Sequence, residues 1–558
     1  MNPRNTKSLN TASNSRSSRL RLSQRRETLL GELLGVDRLI NAAALIHQLP
    51  DEILAEAFLF SLTPNRFPWQ LFQTEEERFL VLLGVCVRWR SVICTQPRFW
   101  RDISVRKGHE WLTLALSRCA GAPANITLRD ETLAPSVFSS VLPQHSRILR
   151  SIHATDISQS SMPRLLTFLY DSSTPTLHSL SIHNRHSNRR EIRLSAESFP
   201  VLRQLTLNNF VLPAESSLYS QLHILVLTRC RWIIPMRQFL DILEATPRLT
   251  DLVLDHCDLP LFPKDADATS PLLSHTRIIL PYLSTFKIAG ESIHTTRSIL
   301  AHVHAPSMAN STIQGITREM ELEGANLLVR LLPPDPWRAI YLLNTVTSIT
   351  VRAERSSEFL GIWASGNGCN MSFTLPIPDR YTTSHWDPWL PHLFRDLIVL
   401  FSHAPITQLT VEGSHGDLTD DDWAGVFRSL PLIEDISVGG SGSHASLWDG
   451  LRKTSVGFSG PKYFKTDSSE GSQLDVSDDL FKSILDTLRS RARYGIRLTM
   501  LSLAFDHAHH GDYERYFKRY IEDMRSLVDN LEYVAIDIDP EFDTPEAFAA
   551  ERQCSSVL

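Results

Sequence analysis

The sequence predicts a chain of mixed class (α+β / α/β), with helices first and a long run of strand–helix units behind them. Three observations carry this. Apolar residues recur at helical spacing between residues 27 and 93, and a short apolar pattern with a strand's alternation recurs from residue 145 on. The length, 558 residues, exceeds what one hydrophobic core serves. Hydrophobic residues make up 42% and charged residues 21%, a globular balance.

The 62 Asp and Glu against 56 Lys and Arg leave a net charge of −6, which argues against nucleic acid as the main partner. Residues 1–26 carry seven basic residues (Arg4, Lys7, Arg16, Arg19, Arg21, Arg25 and Arg26) and no acid. That Ser-, Asn- and Arg-rich stretch is read as a disordered basic tail in preference to a mitochondrial presequence. No apolar run approaches the roughly 18–20 residues that span a bilayer, so no membrane partner is expected. Seven scattered cysteines without a Cys-x-x-Cys pair predict a reduced setting, cytoplasmic or nuclear.

Past the tail, Leu29, Leu30, Leu33, Leu34, Leu39 and Ile40 predict a helix over 27–48. The next begins at Leu49-Pro50-Asp51-Glu52. Proline in a first turn forfeits no hydrogen bond, and Asp51 and Glu52 meet the positive end of the helix dipole. Ile53, Leu54, Ala57 and Phe58 then form one stripe. After a break at Thr63–Pro68, Phe79, Leu82, Leu83, Cys86, Trp89 and Ile93 predict one helix from about Glu75 to Ile93. Pro97 stops it, and Phe99-Trp100 follow. Helices this few and short cannot bury so much apolar surface among themselves, which predicts docking to another molecule.

Leu49-Pro50-Asp51-Glu52-Ile53-Leu54, then Leu83-Gly84-Val85-Cys86-Val87-Arg88-Trp89-Arg90, then Thr95-Gln96-Pro97-Arg98-Phe99-Trp100 together resemble an F-box of the fungal kind. The resemblance covers residues 45–105 of a helical module spanning 27–110. It implies a three-helix domain that binds a Skp-type adaptor and, through it, a cullin-based ubiquitin ligase. It also implies Leu49, Pro50, Ile53, Leu54, Val85, Cys86 and Trp89 as the adaptor-facing or supporting set. The connection at 61–77 is longer than the pattern has.

Within 111–558 one motif recurs: Leu177-x-x-Leu180-x-Ile182, Leu202-x-x-Leu205-x-Leu207, Leu222-x-x-Leu225-x-Leu227 and Leu249-x-x-Leu252-x-Leu254. These starts lie 25, 20 and 27 residues apart, the range of leucine-rich repeats. Cys230 and Cys257 each follow the last leucine by three, where such repeats place a small buried residue. Weaker copies start at Leu283, Val346, Ile406, Ile433 and Leu531, and Met236–Ala245, Trp389–His403 and Tyr513–Asp529 read as intervening helices. The expected architecture is an irregular leucine-rich-repeat-like α/β solenoid. The gaps leave 290–345, 352–405 and 440–500 without a reading. Strand residues between the buried leucines would face the concave surface and become the substrate-facing candidates. They are Gln204, Thr206 and Asn208; Ile224, Val226 and Thr228; Asp251, Val253 and Asp255.

Three constellations invite a chemical reading, and each has a plainer one. Asp506-His507-Ala508-His509-His510-Gly511-Asp512 holds metal-type ligands but sits between a strand and a helix, where an exposed loop belongs. Gly439-Gly440-Ser441-Gly442 lacks the third glycine of a dinucleotide fingerprint and the lysine of a P-loop. Trp363, Trp386 and Trp389 read as core residues before hot spots. The expectation is therefore a receptor with no catalytic residue, no cofactor and no metal, tethering a protein target to the ligase. The alternative is a non-catalytic leucine-rich scaffold whose helical module only caps the solenoid.

Overall fold

Residues 19–40 are rich in Leu and Arg, both good helix formers. In the computed structural model they lie in one long helix, α1 (Lys7–Ala43), and every side chain from 19 to 40 is exposed. The structure describes residues 7–62, 75–105, 109–129, 133–186, 188–213, 217–259, 277–316, 326–353, 359–376, 389–440, 444–455, 460–467, 478–506 and 510–536. The helix thus starts inside the stretch expected to be a disordered tail. Over 19–40 no side chain is buried, so helix propensity rather than packing favours the helix there.

Next come α2 (Asp51–Leu62), α3 (Glu75–Val85) and α4 (Val87–Thr95). The single helix expected from Glu75 to Ile93 is therefore two. Cys86 breaks it with an extended backbone (φ −158°, ψ 170°), and its Sγ accepts the Trp89 N–H at 3.4 Å as the cap of α4. Periodicity could not reveal the break, because the stripe from Phe79 to Ile93 keeps its three-to-four step straight across it.

The chain divides into two compact units, Met1–Leu177 and His178–Leu558. Behind the helices of the first, β1 (Asp102–Val105), β2 (Ala124–Leu128) and β3 (Leu149–Ala154) pair in parallel. They are accompanied by α5 (His109–Arg118) and α6 (Met162–Asp171). The sequence reading gave 102–105 to the helical module and missed all three strands. Each is short, and β1 and β3 carry the motif only in weak forms, Trp100-x-x-Ile103-x-Val105 and Leu149-x-x-Ile152-x-Ala154.

In the second unit every copy of the motif lands on a strand. β4 (Ser179–His183), β5 (Gln204–Asn208), β6 (Ile224–Thr228), β7 (Asp251–Asp255), β8 (Thr285–Ala289) and β9 (Asn310–Gln314) pair in parallel, each with the next and in register. Three strands then interrupt the order: β10 (Ser348–Ala353), β11 (Phe359–Gly366) and β12 (Cys369–Pro376). β9 pairs in parallel with β12, which pairs antiparallel with β11, and β11 antiparallel with β10. Asn367-Gly368 joins β11 to β12 with both residues at positive φ (52° and 77°), the turn that matches a hairpin's twist. From β10 the parallel ladder resumes through β13 (Gln408–Gly413), β14 (Asp435–Gly439), β15 (Tyr463–Asp467), β16 (Leu498–Asp506) and β17 (Val528–Ile536).

Period-two alternation puts Leu205, Leu207, Leu225, Leu227, Leu252 and Leu254 on one face of this ladder, all buried. Each such burial contributes roughly 1.5–3 kcal/mol. Helices α7 (Met236–Glu244), α8 (Ile293–His302), α9 (Trp389–Phe401), α10 (Asp420–Ser429), α11 (Ala445–Lys453), α12 (Asp478–Arg493) and α13 (His510–Leu527) fall between strands. The three unread gaps therefore hold β9, the hairpin and, late in the chain, β15 with α11 and α12. One side chain staples this region: Asp396 on α9 accepts the backbone N–H groups of Leu327 (3.0 Å), Leu328 (2.8 Å) and Val329 (3.3 Å). Cys230 and Cys257 are free, buried thiols that donate to the strand carbonyls of Leu207 and Leu227, each at 3.3 Å. Burial raises both pKa values.

Candidate functional site at the N-terminal helices

The first unit's helices hold two kinds of apolar residue. Leu54, Ala55 and Phe58 on α2 and Val92 and Ile93 on α4 are buried. Phe58 packs on Trp89 with ring centroids 4.5 Å apart. Phe79, Trp100 and Trp111 form a second cluster, with Phe79 edge-on to Trp100 at 5.1 Å and the Trp100 indole donating to the Ile93 carbonyl at 2.9 Å. Arg118 lies over the Trp100 ring at 4.8 Å. Cys119 donates to the Trp100 carbonyl at 2.7 Å, and burial pushes its thiol up to about 11, so it remains protonated.

The other kind faces water. Leu49 is 37% exposed, Ile53 52% and Val85 46%, with Val87, Leu80 and Val81 exposed as well. The Arg88 guanidinium draws the segment before α2 and the α3–α4 junction together. It donates to the carbonyls of His47 and Leu49 (2.7 Å to the latter) and pairs with Asp51 at 2.7 Å. At the same junction the Cys86 Sγ lies 3.6 Å from His47 Nε2. A second arginine, Arg98, pairs with Glu56.

The seven implied adaptor residues thus divide by position. Leu49, Pro50, Ile53 and Val85 are exposed, Cys86 and Trp89 are half-buried, and Leu54 is fully buried. Arg88 was not singled out in the sequence. Its signal was the acidic Asp51 across a chain break, which periodicity does not register. No family model matches the chain, and no curated protein matches it in sequence.

In the second unit, the nine substrate-facing candidates alternate along their strands with the buried leucines. Gln204 is exposed, and the other eight are half-buried beside fully buried leucines. The register groups them in rows, Gln204 with Ile224 and Asp251, Thr206 with Val226 and Val253, and Asn208 with Thr228 and Asp255. Asp255 pairs with Lys287 and with His256, each at 2.7 Å, and these partners hold its carboxyl below the usual range against burial. Trp389 is buried as expected. Trp363 is not a core residue: it lies half-buried on the ladder's outward face. Sequence reasoning missed Glu291, which lies three residues past Ile288 as Cys257 lies three past Leu254 in the neighbouring strand. Burial and Asp258 push its carboxyl up to about 8.

Among the described residues, no group of three or more His, Cys, Asp and Glu could hold a metal, and no helix is long and apolar enough to cross a membrane. His507 and His509, Ser441 and Gly442, and Trp386 lie outside the described residues.

Proposed function

We propose that this chain recruits a protein target to a Skp–cullin–F-box ubiquitin ligase. Residues 45–105 serve as the F-box, and the strand ladder serves as an irregular leucine-rich solenoid that holds the target. One observation carries the reading. Leu49, Pro50, Ile53 and Val85 are held at solvent on segments that Arg88 ties together, while Leu54, Phe58 and Trp89 supply the module's own packing. With about half of Leu49, Ile53 and Val85 already covered, a partner recovers roughly 1 kcal/mol from each, and a few such anchors dominate an interface. The chain performs no chemistry in this reading. It works by tethering, raising the target's effective concentration beside the ubiquitin-charged enzyme, in the cytoplasm or nucleus.

The test is coexpression of the full chain with a Skp-type adaptor, beside a Leu49→Asp/Ile53→Asp variant. The expected result is a one-to-one complex for the wild type and binding about 100-fold weaker for the variant, with the melting midpoint unchanged. A folded wild type that does not bind the adaptor overturns the reading and leaves the scaffold in its place.

A further inference from the structure

The outward face of the ladder changes character along its length. On β7 and β8 it carries Asp251, Asp255 and Lys287, and on β14 and β15 Asp435 and Lys465. Between them lies a stretch built around Trp363. Thr350 and Ser372 flank it directly in register, and Thr410 and Thr312 come next on either side. Along its own strand, the neighbours on that face are Gly361 and Ser365. None of these six is larger than threonine, so the indole stands over a floor of short side chains.

The floor is tied down. Ser372 Oγ donates to Thr312 Oγ1 at 3.2 Å, and Asn370 Nδ2 to Asn310 Oδ1 at 3.4 Å. Gly361 cannot be enlarged, because a Cβ there would lie 2.2 Å from the Phe373 carbonyl oxygen. Among the described residues, the nearest charges on this face are Arg352 and Glu412, and they pair with each other. The Arg352 guanidinium carbon lies 5.6 Å from the Trp363 ring centre.

We propose that this floor is a docking site for an extended, electrically neutral polypeptide segment that packs an apolar or aromatic side chain against Trp363. Electrostatics selects this occupant. Among the described residues, a charged segment laid here would lose water without gaining a free counter-charge, since Arg352 is already committed to Glu412. The rows of hydroxyl and amide side chains match the donors and acceptors of a peptide backbone. Short side chains also lose little rotamer freedom when covered, whereas a single tryptophan supplies the large buried area typical of an anchor. The inference rests on the reading of the ladder as target-holding. It moves the target site from the Gln204–Asp255 rows to the strands around the hairpin.

The test pans a phage-displayed library of random 12-residue peptides over the immobilised full chain, then measures the enriched peptides by fluorescence polarisation. The expected peptides are near-neutral with one aromatic, leucine or methionine anchor. They lose at least about tenfold in affinity on Trp363→Ala and on Ser372→Arg, and stay within about twofold on Trp363→Phe. If Trp363→Ala does not fold, Ser372→Arg decides. Enrichment of charged peptides, no peptide dependent on Trp363, or Trp363-dependent binding on a glycan array in place of peptides each overturns the proposal. Adaptor co-purification of the same variants separates the two claims. Adaptor binding without Trp363-dependent peptides fells the docking site alone, and the reverse fells the ligase reading alone.

Discussion

The helices of the first unit and the ladder of the second draw on the same apolar residues and dispose of them in opposite ways. In the ladder, Leu205, Leu225 and Leu252 lie side by side in register, and each is fully buried. Around the helices, Leu49, Ile53 and Val85 stand at solvent although Leu54, the residue after Ile53, and Phe58, just over a turn further along α2, are buried. A repeating unit needs only its own copies to complete burial. A set of short helices has no such supply, so its surplus apolar surface is available to a partner.

The largest effect that tests this contrast comes from the ladder. Leu225→Ala leaves a cavity in a fully buried row and costs about 2–5 kcal/mol, read as a lower urea midpoint for the second unit. Little change would mean the row can collapse around the deletion, and the picture of a tightly sealed row would fail.

Titration sharpens the comparison within the ladder. His415 and His444 are both buried and meet edge to face with ring centres 4.7 Å apart, and His415 Nε2 hydrogen-bonds the Gly439 carbonyl at 2.9 Å. Burial pushes His415 down to about 4, and burial with His415 nearby pushes His444 well below its ordinary value. The unfolded chain takes up a proton near pH 6.5 that native His415 refuses until about pH 4. Stability is therefore full above pH 6.5 and falls with pH below it, by about 3 kcal/mol for His415 alone. Asp396 has the opposite sign. Burial raises its carboxyl to about 6 despite three backbone N–H groups, so the native state holds a proton that the unfolded chain releases near 3.8. Its contribution grows as pH falls from 6 towards 4. Stability differences from wild type, followed between pH 4 and 7, should slope one way for His415→Phe and the other for Asp396→Asn. Parallel slopes would contradict the assignment.

Legibility follows the same division. The motif Leu-x-x-Leu-x-Leu marked β5, β6 and β7 because the buried positions are leucine and the outward ones are not. β9 escaped because Ser311 takes the place of a leucine in Asn310–Gln314. The hairpin is silent for another reason: its Asn367-Gly368 turn is a strong local signal, but its antiparallel strands break the period that marks the parallel ones. Trp363 was misjudged because residue type alone does not tell which face of a strand it occupies. The register against Thr350 and Ser372 does. The helical stripe of α2 was legible, yet its division into buried Leu54 and exposed Ile53 was set by α4, far along the chain.

That turn gives a smaller test. Gly368→Ala forces φ near 77° on a residue with a Cβ, while nothing lies within 4 Å of the added atom. The penalty is pure backbone strain, about 1 kcal/mol. A much larger loss would show that the hairpin's register depends on this turn alone.

The smallest stability effect belongs to the helices, and there its smallness is informative. Ile53 is half-exposed one residue before fully buried Leu54 on the same helix. Ile53→Ala removes no packed contact of consequence and improves helix propensity, so the melting midpoint should stay within the equivalent of about 0.5 kcal/mol. Leu54→Ala should lower it by about 2–5 kcal/mol. If adaptor binding weakens with Ile53→Ala while stability does not, the two neighbours separate recognition from folding along one turn of helix. Equal losses of stability would place Ile53 in the module's core and remove the exposed edge on which docking depends.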